Sequence, residues 1–100
     1  MRKVFKYQIP INDYVDIALP EDAQILTVDC QHGQPCLWAL VDPTAPEVTR
    51  RFRFAGTGHP ITDDTERLFF HGTFQMDGGS LIFHIFEVVN YPICFFKKPT

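Results

Sequence analysis

Pro35-Cys36-Leu37-Trp38-Ala39-Leu40-Val41-Asp42-Pro43 sets six apolar residues between two prolines and contains the only tryptophan of the chain. Six residues are too few for a stable helix and suit a strand buried on both faces. Proline has no N–H to give to a ladder, so it stands at the limits of a strand. The stretch reads as a central strand.

Working outward, Gln31-His32-Gly33-Gln34 on its N-terminal side is a short connector with one glycine, which predicts a hairpin to a strand over 23–30. Further back, 15–19 alternates up to Pro20. Residues 4–9 place Phe5, Tyr7 and Ile9 on one face of a half-buried strand that Pro10 ends. On the C-terminal side Pro43 and Pro46 bound a rigid turn. Residues 48–54 then alternate, with Phe52 and Phe54 inward and Thr49, Arg51 and Arg53 outward. No apolar period runs through 56–66, and 62–67 has room for at most one short helix or turn, with Thr62 as its cap. Strands follow over 68–76 and 81–88, joined at Asp77-Gly78-Gly79-Ser80, where two glycines supply positive φ. The 81–88 strand is apolar on both faces and should be internal to its sheet. The prediction is an all-β domain over 1–100, a small antiparallel sandwich or barrel of seven to eight strands.

Composition supports this reading. Ten phenylalanines, three tyrosines and a tryptophan in 100 residues suit pleated surfaces, and eight prolines with six glycines interrupt helices. A net charge of −3 argues against nucleic acid as a partner. No apolar run reaches the ~20 residues of a membrane span, and three cysteines with no secretory signal read as reduced thiols.

Three places are candidates for chemistry. Gly56-Thr57-Gly58-His59 can turn backbone N–H groups toward an anion, with Arg51 and Arg53 nearby, so a phosphate-bearing small ligand is one expectation. The alternative is a loop that simply needs its glycines. Second, if Asp77 pairs with Ser80, then Phe70, Phe74 and Met76 face Glu87, Phe83 and Leu81. His71 and His84 then become diagonal neighbours, a weak metal pair or else packed histidines. Third, Tyr91, Ile93, Phe95 and Phe96 form an apolar end followed by Lys97-Lys98, suited to a partner or homo-oligomer contact or to an eighth strand. No serine elbow or spaced carboxylate pair is present, and no cofactor is called for.

The chain resembles a family of small uncharacterised bacteriophage and prophage proteins. The resemblance is carried by Val4-Phe5-Lys6-Tyr7, the 35–43 block, Gly56-Thr57-Gly58-His59-Pro60-Ile61, Gly72-Thr73-Phe74-Gln75 and Phe83-His84-Ile85-Phe86-Glu87. It covers 1–87 and leaves 88–100 as an extension. It implies a phage accessory protein in the host cytoplasm, with no activity to carry over. The expected role is non-enzymatic binding of a host or phage macromolecule, in the manner of a counter-defence factor. The alternatives are a sponge for a nucleotide signal, a metal-dependent hydrolase using the histidines, and a minor virion component.

Overall fold

The computed structural model describes residues 1–90, which form seven strands in two antiparallel sheets. One sheet has the order β1 (Lys3–Gln8), β4 (Gln34–Val41), β3 (Gln24–Gln31). The other has the order β2 (Tyr14–Pro20), β5 (Glu47–Gly56), β7 (Leu81–Val88), β6 (Leu68–Met76). Among the described residues, helical geometry is confined to two 3₁₀ turns, Thr65–Arg67 and Asp77–Gly79. This is the small sandwich-like all-β fold that alternation predicts, with the 81–88 strand internal to its sheet.

The stretch around Trp38 is central, as expected, but its two faces differ. Leu37, Ala39 and Val41 are buried between the sheets, while Trp38 and Leu40 on the outer face are only half-buried. Ile9, Leu19, Val28, Leu37, Phe52, Phe54, Phe74 and Ile85 join in one core, and each such side chain stabilises the fold by roughly 1.5–3 kcal/mol on burial. Phe54, Phe74 and Phe83 meet with ring centroids 5.9 to 6.2 Å apart. The first strand is an edge and mostly exposed, with Tyr7 half-buried and Ile9 fully buried just past its end. The hairpin from β3 to β4 turns at His32 (φ 52°) and Gly33 (φ 75°), the paired positive angles of a primed turn.

The β6–β7 register corrects an expectation. From Gly72 to Met76 the partners are those the turn predicts, but Phe70 faces Phe86 and Phe69 faces Glu87. His71 is the extra residue of a β-bulge, and one inserted residue shifts every pairing before it. A second irregularity lies at Leu26, between Ile25 and Thr27 of β3. Just past the first bulge, β6 touches β3: a Cβ on Gly72 would stand 2.8 Å from Cγ2 of Val28. The helical turn expected in 62–67 is reduced to Thr65–Arg67, and Asp64 rather than Thr62 caps it. The expected strand over 93–96 and the contacts assigned to Tyr91, Ile93, Phe95 and Phe96 lie outside the described residues.

Candidate functional site

Alternation places Arg50 on the same face of β5 as Phe52 and Phe54, and Glu87 on the same face of β7 as Phe83 and Ile85. Phe52 is directly opposite Glu87, so Arg50 stands one pleat away on the inward face. Its guanidinium holds the carboxylate through two bonds, Nε to Oε2 at 2.6 Å and Nη2 to Oε1 at 2.8 Å. Nη1 donates to the carbonyl of Ala23 at 2.6 Å, tying the pair to the turn before β3. The bulge brings His71 to the same carboxylate, with Nε2 2.9 Å from Oε1. Its ring sits beside Phe52 and Phe69, at 5.8 and 5.1 Å between centroids.

The His71 and Glu87 side chains are only 10% and 11% exposed. Burial pushes the Glu87 carboxyl up, but Arg50 and His71 outweigh it and hold it at about 2. An ionised carboxylate only accepts hydrogen bonds, so Nε2 of His71 must carry the proton between them. In the neutral ring Nδ1 then keeps its lone pair, and it has no hydrogen-bond partner among the described residues. The arrangement is an imidazole fixed in tautomer and orientation by a carboxylate, with one nitrogen left over.

This cluster is the floor of an open groove of about 1170 Å³. Ile25 of β3, Val48 of β5, Phe69 of β6 and Val88 of β7 line it, and Glu21 and Asp22 form an acidic lip. Both bulges adjoin it. Among the described residues β3 and β6 each have only one hydrogen-bonded neighbour strand, so each presents a sheet edge there. Among the described lining residues Thr49 carries the only hydroxyl, and none carries a thiol. Sequence reading missed Arg50 and Glu87, yet parity was the available signal: opposite charges at inward positions of strands otherwise apolar on that face.

The residues singled out from sequence are arranged differently. Arg51 points onto Asp16, with Nε to Oδ1 at 2.9 Å. Arg53, on the outer face, donates from Nε to Oδ1 of Asp63 at 3.0 Å and from Nη1 to the carbonyl of Phe54. Tyr14 donates to the other Asp63 oxygen at 2.6 Å, and both guanidinium groups lie over its ring. Burial raises the Asp63 carboxyl, but the bonds from Tyr14 and Arg53 prevail and lower it, while the bond to Asp63 raises the Tyr14 phenol. Both arginines thus have carboxylate partners, and Arg53 also lines a pocket with Gly56, His59 and Pro60. Within that loop Gly58 has φ 82°, and a Cβ on Gly56 would stand 2.8 Å from Nδ1 of His59. The His59 ring folds back on the glycine.

His71 and His84 do not meet. The bulge turns His71 to Glu87, whereas His84 occupies the other parity of β7 and lies between two hydroxyls. These are Thr57 at 2.7 Å from Nε2 and Thr73 at 2.9 Å from Nδ1. Among the described residues no three His, Cys, Asp or Glu side chains gather to hold a metal ion. Asp64 caps its turn and pairs with Arg67 at 3.5 Å. Cys30 and Cys36 are free thiols.

The chain matches the model of DUF7352, a domain of unknown function, over residues 1–92, and it belongs to that family. No curated protein and no solved structure matches it. Among the described residues no helix is long and apolar enough to cross a membrane.

Proposed function

We propose that this member of the DUF7352 family is a non-enzymatic binding module whose groove receives an extended segment of a protein partner. The observation behind this reading is the juxtaposition of two strand edges, β3 and β6, each bulged where it lines a groove of about 1170 Å³. Free strand edges supply main-chain hydrogen bonds to an extended peptide, and adjoining pockets select its side chains. The Arg50–Glu87–His71 floor has its charges matched, so occupying the groove strands no ion. Thr49 carries the one hydroxyl among the described lining residues, which favours recognition over covalent chemistry there.

The finer biological setting rests on the sequence resemblance: a phage-encoded accessory protein acting in the host cytoplasm on a host or phage protein, to the detriment of host defence. The phosphate-ligand reading has less support, because Arg51 and Arg53 already face Asp16 and Asp63. The hydrolase reading lacks its histidine pair.

Cross-linking in infected cells tests the groove. A photoreactive residue placed at Val48 in the groove should trap a specific partner, and one placed at Val4, on the outer face of the other sheet and 54% exposed, should not. Trapping of the same partner from Val4 and not from Val48 would contradict the reading.

A further inference from the structure

β1 is the other edge of the three-stranded sheet, and unlike β3 it is straight. Its six residues pair with β4 one for one, from Lys3 with Val41 to Gln8 with Cys36. Continuing that register sets Ile9 opposite Pro35, whose carbonyl accepts from the Ile9 N–H at 2.9 Å. Hydrogen-bonded pairs alternate along an antiparallel ladder, so Lys3, Phe5 and Tyr7 turn their main-chain groups to β4. Val4, Lys6 and Gln8 turn theirs to the free edge. Gln34 fits the same phase: its side chain donates to the Ile9 carbonyl at 2.9 Å, in place of the N–H that Pro35 lacks.

The edge also overhangs. Ala39 and Val41 of β4 are buried, yet their partners Phe5 and Lys3 on the same inward face are exposed, so the four-stranded sheet does not reach under β1. An edge lysine ordinarily deters a further strand. Here Lys6 is drawn back across β4, with its Nζ 2.8 Å from Oε1 of Gln31 on β3. Burial and the nearby Glu47 carboxylate both raise the Tyr7 phenol. Glu47 has no ion-pair partner among the described residues.

We propose that two copies of this chain join along β1, antiparallel across a twofold axis with Phe5 opposite Phe5. In that register Val4 of each copy exchanges both main-chain bonds with Lys6 of the other, and these are the groups that face the free edge. Lys3 then lies opposite Tyr7 of the second copy and close to its Glu47, so a cation meets an aromatic face and an unpaired carboxylate. The neighbouring registers are worse. One sets Lys6 against Lys6, like charges directly opposite, and the other, with Val4 against Val4, shortens the overlap. A one-residue slip puts inward side chains on the outer face. β3 separates this edge from the groove, so the junction stands whether or not the groove takes a peptide.

Sedimentation of the full chain over a dilution series should show a reversible monomer–dimer equilibrium. Val4→Pro takes one N–H per copy from the junction and none from the β4 ladder, and should weaken dimerisation at least about tenfold. Phe5→Lys, which leaves the main chain alone and sets lysines face to face, should weaken it likewise and covers the case of a Val4→Pro chain that fails to fold. Single-cysteine variants read the register under mild oxidation. Phe5→Cys should give a covalent dimer, because opposed positions without mutual hydrogen bonds bring their Cβ atoms within disulfide reach. Val4→Cys and Lys6→Cys should stay at the parent's level. A photoreactive residue at Val4 would join two copies of the chain, a product that mass separates from a partner trapped at Val48. A chain that stays monomeric at every concentration overturns the proposal. So does a dimer that neither Val4→Pro nor Phe5→Lys weakens. Covalent dimers from Lys6→Cys or Val4→Cys in place of Phe5→Cys overturn the register.

Discussion

Arg50 and Arg53 lie three residues apart on β5, on opposite faces of one sheet, and each builds a cluster with a carboxylate and a third polar ring. The inner cluster is Arg50, Glu87 and His71; the outer is Arg53, Asp63 and Tyr14. Their chemistry is nearly the same and their anchorage is not. The inner three come from β5, β7 and β6, adjacent strands locked in one ladder. The outer cluster takes Asp63 from the long loop, so it clamps that loop against the sheet. Every polar atom of the clamp faces a partner within it or nearby, whereas in the inner cluster Nδ1 of His71 has no hydrogen-bond partner among the described residues. A matched ion cluster on a rigid ladder makes a floor; one that reaches into a loop makes a fastening.

The comparison breaks first at its carboxylates. Glu87→Ala leaves a guanidinium and an imidazole buried without their anion, and should cost about 3–5 kcal/mol in urea unfolding. Asp63→Ala should cost less, about 1–2 kcal/mol, because a loop can move aside and let water reach Arg53. Equal costs would remove the distinction between floor and fastening.

Acid sharpens it. The folded-state value of about 2 for Glu87 lies below its ordinary 4.5, so its contribution is fully present above about pH 4.5 and is lost as pH falls toward 2. Allowing for solvent screening, about 2 kcal/mol is at stake. Urea midpoints measured between pH 7 and pH 3 should fall in the parent and fall less in Glu87→Gln. Identical slopes would mean that the carboxylate is not held down by its partners.

Gly72→Ala comes next. Its new methyl would meet Val28, with a cost of about 1–3 kcal/mol by thermal unfolding, because well-packed neighbours yield little. A neutral result would mean that β3 and β6 do not touch there. The smallest effect belongs to Tyr14→Phe, which removes the hydroxyl from Asp63. Amide exchange over 57–64 should quicken while the global Tm stays close to the parent's.

Much of this architecture was legible. Prolines and glycines bounded each of the seven strands, and period-two alternation placed Phe52, Phe54 and the 81–88 strand correctly. Arg50 was legible too, since it shares parity with two buried phenylalanines; the outward grouping of Thr49, Arg51 and Arg53 drew attention away from it. The His71 bulge was not legible. A single added residue leaves composition and pattern almost intact, yet it carries His71 from the face of His84 to that of Glu87. The Tyr14–Asp63 bond joins residues 49 apart in sequence, and no local signal encodes such a pairing.

The ring nitrogens of His71 test the whole account most directly. Long-range ¹H–¹⁵N spectra recorded in alkaline solution should show Nε2 protonated and Nδ1 bare, because the Glu87 carboxylate accepts from Nε2. A proton on Nδ1 with Nε2 bare would mean that Glu87 does not hold the ring and that the inner cluster is not built as described.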